Sequence, residues 1–200
     1  MSNRFIVLKF GSSVLRQTQD VHRVVQEIYR WRRAGYCVLA VVSAIGDTTN
    51  QLAEQASQFG DDIDSRKTAS LLATGELQSA ALTGLALDRA GVSSFTCDDA
   101  SIELRSEGSL MDARLVDVDR DRLRSLLDER GVVVLPGFIG RNAAGEQTLL
   151  GRGGSDLTAL FLASNLQADL CRLIKDVDGC LLYTSPSPRD LSTSRMPSSA

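Results

Sequence analysis

Proline, histidine and the aromatic residues are scarce in this 200-residue chain, and each scarcity removes a class of explanation. There is one histidine, His22, in an otherwise polar helical stretch; a serine–histidine–aspartate triad would have to use it, and no supporting motif surrounds it. The sequence predicts a solvated role for it. Aromatic residues make up only 5% of the chain and net charge is −3, which leaves no basic, aromatic-studded surface for nucleic acid and none for an anionic membrane. No apolar run reaches membrane-span length, and the opening Met1-Ser-Asn-Arg lacks the form of a signal peptide. Cys37, Cys97, Cys171 and Cys180 have no metal-like spacing, which predicts reduced thiols and a cytoplasmic protein. Three of the four prolines (Pro186, Pro188 and Pro197) fall in the last fifteen residues.

Those prolines mark a change in the character of the chain. From Cys180 onward, eight of 21 residues are Ser or Thr and no helical or strand period is visible, which by composition alone reads as a disordered tail. The nucleotide string TGTCTCTTATACACATCT translates to Cys180 through Ser185 and resembles a transposon end used in sequencing-library preparation. Pro186-Ser-Pro-Arg-Asp190 resembles the adjoining adapter in the same frame, and Ser194 to Ala200 an outer adapter, with Leu191-Ser-Thr between them as a variable index. Residues 180–200 are therefore expected to be a non-native, disordered tail, and residues 1–179 an incomplete domain cut near Gly179.

What remains is rich in apolar side chains (43% overall), enough for a sizeable core. Phe5 to Phe10, Cys37 to Ser43, Val132 to Pro136 and Cys171 to Lys175 are near-continuous apolar runs, the pattern of strands buried on both faces. Ser94 to Cys97 is a shorter strand, and residues 101–118 suit a hairpin or small strands. Helical spacing occupies Val21 to Ile28, with Thr18 as a candidate cap and Gly35 as a stop. It returns over residues 49–59, 64–91 with an interruption near Thr74-Gly75, 119–130 and 155–167; Gly137 to Leu150 reads as a polar excursion. Tyr29 and Trp31 are expected to be packing residues, and Arg30, Arg32 and Arg33 a solvated helix end suited to the dipole. Alternating strands and helices predict an α/β fold: a three-layer α/β/α sandwich around a mostly parallel sheet.

In such a sheet, ligands bind beyond the carboxyl ends of the strands, and the polar motifs of this sequence collect there. Lys9-Phe-Gly-Ser-Ser13 combines a compact cation with small residues that let backbone N–H groups approach an anion; an ordinary strand-to-loop turn has the same look. Ser43-Ala-Ile-Gly-Asp-Thr-Thr-Asn50 offers hydroxyls before a helix start, or a glycine turn with Thr48 or Thr49 as cap. Gly151-Arg-Gly-Gly-Ser-Asp156 surrounds one arginine with three glycines just before a helix, an arrangement that suits anion binding. Its spacing differs from the dinucleotide pattern. Asp176-Val-Asp-Gly179 suits either a nucleotide with its Mg²⁺ or a plain turn, and Thr74-Gly-Glu76 is ambiguous within its helix.

Taken in order, these motifs, together with Pro136-Gly-Phe-Ile-Gly140, strongly resemble the aspartokinases of the amino-acid kinase superfamily, over essentially all of residues 1–179. The resemblance implies the amino-acid kinase fold and ATP-dependent phosphorylation of the β-carboxylate of L-aspartate to 4-phospho-L-aspartate, the first step toward lysine, threonine and methionine. It implies ATP and Mg²⁺ as cofactors, and no metal ligand set of the protein's own. Lys9 and the Gly11, Ser12 and Ser13 backbone would stabilise the transferred phosphoryl group. Ser43 and Thr49 would position the substrate, Glu76 would receive its ammonium, and Arg152 its α-carboxylate. Phe138, Gly153, Gly154, Ser155 and Asp156 would complete the pocket, with Lys9 and Asp156 as the catalytic pair. Lys175, Asp176, Asp178 and Gly179 would begin the nucleotide wall. The sequence departs from the family pattern at Ser12, where a glycine is usual, and at Lys175, where a threonine is usual. The resemblance also implies a homo-oligomer in full-length form, with neither nucleic acid nor membrane as partner, and no turnover by the 200-residue chain alone. The alternatives are the kinase-like region of a homoserine dehydrogenase fusion and a non-catalytic domain that senses an amino acid or nucleotide.

Overall fold

The computed structural model describes residues 4–60 and 63–175, and the backbone of 181–183. In chain order, β1 (Arg4–Phe10) is followed by α1 (Val21–Arg33), β2 (Tyr36–Val42), α2 (Thr48–Ser57) and the long α3 (Ser65–Arg89). Then come β3 (Phe95–Thr96), the hairpin of β4 (Arg105–Ser109) and β5 (Asp112–Asp117), and α4 (Arg120–Arg130). After these lie β6 (Val132–Pro136), β7 (Ile139–Arg141), β8 (Gln147–Leu149), α5 (Gly154–Leu166), β9 (Leu170–Ile174) and β10 (Leu181–Tyr183).

A six-stranded sheet of order β10-β9-β1-β2-β6-β3 forms the middle layer, parallel except for β10. Each central strand buries both faces, which explains the absence of an apolar–polar alternation. The period of two sorts the residues nonetheless. Ile6, Leu8 and Phe10 join Val38, Ala40 and Val42 in the core under α1 and α3, whereas Val7, Leu39 and Val41 join the core under α4 and α5. The expected α/β/α layering and mostly parallel sheet are present.

Three features differ from the sequence expectation. Residues 137–150 are not a simple excursion: β7 and β8 form a hairpin that joins β4 and β5 in a second sheet of order β5-β4-β7-β8. This sheet packs on α3 through Ala69, Leu72, Ala73, Ile139 and Leu149. Helix α3 also runs without a break through Thr74-Gly75. Glycine costs a helix about 1 kcal/mol against alanine. Here the cost is offset by close approach, since a Cβ on Gly75 would meet Ala44 Cβ at 3.2 Å and Thr48 Cγ2 at 3.3 Å. Finally, Leu181–Tyr183 pair antiparallel with β9, within the segment expected to lack regular structure.

Smaller differences concern helix ends. Thr18 opens a short 3₁₀ turn (Thr18–Asp20) ahead of α1 rather than capping it, and α2 begins at Thr48 with Asp47 in the cap position. Gly35 does end α1, at φ 84°. Trp31 packs edge-on to Tyr36 with ring centroids 5.1 Å apart, but Tyr29 is 51% exposed and so is not a packing residue. His22 is exposed as expected. Cys37, Cys97 and Cys171 are free and buried, and burial pushes the Cys97 thiol up to about 12 and the Cys171 thiol up to about 11. No helix among the described residues is long and apolar enough to cross a membrane.

Candidate active site

The register aligns Phe10 with Val42 and Val42 with Pro136, so the loops after β1, β2 and β6 emerge side by side. Strand β9 docks on the other side of β1, so the strand order reverses beside the Lys9–Ser13 turn, where such sheets open a crevice. Two backbone bonds tie the loops together: Ser43 N donates to Phe10 O at 3.0 Å, and Gly137 N donates to Val42 O at 2.8 Å.

A cleft of about 240 Å³ lies at this end of the sheet. Lys9 on β1, Ser12 and Ser43 in the loops after β1 and β2, and Thr49 in the first turn of α2 line one side. Phe138 and the Gly151–Asp156 loop form the other, and α3 contributes Glu76. Eleven of the residues expected from sequence therefore meet around one cavity: Lys9, Ser12, Ser43, Thr49, Glu76 and Phe138, with Arg152, Gly153, Gly154, Ser155 and Asp156. Gly11 and Ser13 belong to the same turn but do not line the cavity, and Gly11 O instead accepts from Val14 N and Leu15 N at 2.9 Å. Lys175 is exposed just beyond β9 and is not brought into the cleft. Asp176, Asp178 and Gly179 lie outside the described residues.

Lys9 reaches the cleft because its parity on β1 is that of Val7, the face that packs toward α5. There its Nζ stands 2.5 Å from Asp156 Oδ1, in the first turn of the helix. The approach lacks hydrogen-bond alignment, so charge holds this pair rather than directionality. The same Nζ would lie 2.7 Å from a Cβ on Gly11, so glycine there leaves the ammonium room over the turn. Ser12 is exposed and lies outside the left-handed region, so the side chain at this position carries no backbone strain.

Glu76 is the electrostatic oddity of the site. It is 3% exposed, and its Oε2 has no hydrogen-bond partner among the described residues. Burial pushes its carboxyl up to about 7, against the smaller opposing effect of hydrogen bonds from the Ala44 and Glu76 backbones. A buried acceptor left open beside a cavity awaits a cationic or donor group. Arg152, which lines the same cleft, is exposed and has no ion-pair or hydrogen-bond partner among the described residues. The cleft thus presents a buried carboxyl with an open oxygen, an open guanidinium and a lysine ammonium to one small ligand.

The sequence reading missed part of the surroundings. A second cavity of about 250 Å³ shares Ser12, Ser43, Thr49 and Glu76 with the first and adds Ala44, Gly46, Asp47 and Asn50. These lie within the Ser43–Asn50 motif, but nothing in their spacing distinguished them from turn residues. Gly151 also sits at φ 65°, and a Cβ on it would collide with the Asp112 carboxylate, a contact between β5 and the loop that no local pattern announces.

Comparison with known proteins shows what the chain is similar to. The curated aspartokinase of Mycolicibacterium smegmatis is 36% identical over 194 residues, covering 94% of this chain and 46% of that protein. The aspartokinase of Corynebacterium glutamicum is 38% identical over 183 residues, 90% of this chain and 42% of that one. The solved aspartate kinase from Synechocystis superposes with a TM-score of 0.71 at 34% identity, over 86% of this chain and 28% of that chain. This chain spans less than half the length of these relatives. The model of the amino acid kinase family matches residues 4–193, a span that includes every loop of the cleft, and the chain belongs to that family.

Proposed function

We propose that the full-length protein carrying this chain transfers the γ-phosphoryl group of ATP to the β-carboxylate of L-aspartate. The observation that carries this reading is the pairing of an open, buried carboxylate on Glu76 with an unpartnered Arg152 across one small cleft that also holds Lys9. An amino dicarboxylic acid has the matching groups: an ammonium for Glu76, an α-carboxylate for the Arg152 fork, and a second carboxylate to be presented near Lys9. Identity of 36–38% to curated aspartokinases supports the same choice.

A carboxylate is already a nucleophile at neutral pH, so the reaction needs no general base. A β-carboxylate oxygen bonds to the γ-phosphorus as the bridging oxygen leaves with ADP, and the work of the protein is positioning and charge stabilisation. Lys9, relieved from Asp156 by the incoming phosphoryl group, would face its developing charge. The Gly11–Ser13 turn and Ser155 N at the amino end of α5 would supply backbone donors. Ser43 and Thr49 would orient the substrate, with Ser155 and Asp156 closing the pocket.

Among the described residues no three carboxylate, imidazole or thiolate side chains converge on a metal site. The residues present fit a Mg²⁺ carried on the nucleotide phosphates, with Asp156 as the nearby carboxylate; when bound, it would neutralise charge on the phosphoryl group. Lys175, Asp176, Asp178 and Gly179 are proposed for the nucleotide side. Cytoplasmic location, homo-oligomeric assembly, a role in lysine, threonine and methionine synthesis, and division of the chain at residue 179 belong to the same proposal.

The test is hydroxylamine trapping with the full-length protein, ATP and L-aspartate. Aspartate-dependent hydroxamate, lost in Arg152→Ala and Glu76→Gln, is the expected result. Aspartate binding without any hydroxamate would replace the enzyme reading with a sensor.

A further inference from the structure

The two loops of the Phe138 wall are interlocked. A Cβ on Gly137 would stand 2.8 Å from Ser155 Cβ and 3.0 Å from Ser155 Cα. A Cβ on Gly154 would stand 2.7 Å from Phe138 Cδ2 and 2.8 Å from Leu150 Cβ. Leu150 N also donates to Phe138 O at 2.9 Å. Between these contacts Phe138 takes φ 68°, in the left-handed region that a bulky side chain avoids. Strained backbone of this kind persists only where its surroundings over-determine it.

One side chain closes the arrangement. Thr158, on the second turn of α5, is completely buried. Its Oγ1 accepts a hydrogen bond from Phe138 N at 3.2 Å and donates one to Gly154 O at 2.9 Å. A hydroxyl can do both at once, having one proton and two lone pairs. The bond to Gly154 alone would be an ordinary back-bond within a helix, common for buried threonine. The bond to Phe138 N is different: it spans 20 residues and satisfies a backbone donor where the chain is strained.

We infer that Thr158 is a positioning residue: by clamping Phe138 to the first turn of α5 it holds the separation between the two loops that face the substrate. Phe138, Ser155 and Asp156 all line the cleft, so slack in this joint moves one wall against the Lys9 wall without removing any group that touches ligand. Misplacement of this kind is expensive in rate, because catalysis by positioning tolerates little displacement.

The inference rests on the proposed aspartate reading for its kinetic readout, and a second readout is independent of it. In the full-length protein, Thr158→Val removes the hydroxyl while keeping the branched shape, and Thr158→Ser keeps the hydroxyl. The valine variant is expected to lose at least tenfold in kcat/KM for aspartate, and the serine variant to stay within about threefold of the parent. Hydrogen–deuterium exchange over the peptide containing residues 137–140 should quicken in the valine variant alone, whether or not any turnover is seen. A valine variant with a lowered Tm but unchanged kcat/KM and unchanged exchange there would overturn the inference, leaving Thr158 a core residue only. If the valine variant does not fold, the serine variant decides: a tenfold loss despite its retained hydroxyl would equally sink the clamp. Absence of turnover in the parent, with faster exchange in the valine variant, would count against the aspartate reading and for the clamp.

Discussion

The two walls of the cleft are built by opposite means. On the Lys9 wall the residues that line the cleft have ordinary backbone: neither Ser12, Ser43 nor Thr49 has positive φ, the constrained glycine, Gly46, lies behind them, and the chemistry is carried by side chains. The Phe138 wall uses constrained backbone, with Phe138, Gly151 and Gly153 all in the left-handed region and Gly137 and Gly154 pressed against neighbouring chain. Between them, Glu76 is limited by neither geometry nor crowding but by desolvation. The comparison shows why a side chain fits at Ser12: an exposed residue of ordinary φ can carry one, whereas Gly154 cannot.

The largest effect expected on stability is at Glu76. Burial favours its neutral form, so the folded protein holds the proton more tightly than the unfolded chain does, whose carboxyl ionises near the ordinary value of 4.5. Stability is therefore lost as pH rises from about 4.5 to about 7, and the deficit then stays constant, on the order of 3 kcal/mol. Glu76→Gln should gain stability over the parent progressively through that window; urea melts at pH 5 and pH 8 measure it, and parallel pH profiles would refute desolvation as the cause. The same titration bears on the substrate. The KM for aspartate should rise as pH falls below about 7, where Glu76 takes up the proton that displaces a charge partner for the ammonium.

On the constrained wall, Gly154→Ala should cost about 2 kcal/mol, the usual scale of overpacking, at every pH. A loss that follows pH instead would merge the two regimes that the comparison separates. Gly11→Ala should behave differently again. The obstructing atom is the far end of Lys9, so stability should change by about 0.5 kcal/mol or less while kcat falls with displacement of the ammonium. Ser12→Gly should likewise do little, with a destabilisation below about 1 kcal/mol from backbone entropy alone. A larger loss, measured by thermal melting, would mean that Ser12 is held by contacts the comparison assigns only to the opposite wall.

Much of the fold was legible because its strands are buried on both faces. Continuous apolar runs such as Phe5 to Phe10 have few other uses at that length. The second sheet was not legible. Strands β7 and β8 are three residues each, too short for a period to emerge, and their pairing with β4 depends on a single parallel bridge, Arg105 to Arg141. The continuity of α3 at Gly75 was equally hidden, because the reason for that glycine is Ala44 and Thr48, residues distant in sequence.

By itself the sequence determined the layered architecture and the order of the loops, since hydrophobic period and glycine placement are local properties. It also determined which residue types were available: one lysine at the end of β1, one arginine among three glycines, one glutamate after Gly75. Only the tertiary structure decided which of them meet. Strand parity turns Lys9 toward α5 and Asp156, burial leaves Glu76 with an open oxygen, and a hydroxyl twenty residues away holds Phe138 in a strained conformation. Those outcomes depend on packing between segments far apart in the chain, where charge, desolvation and close contact act through space and leave no local trace.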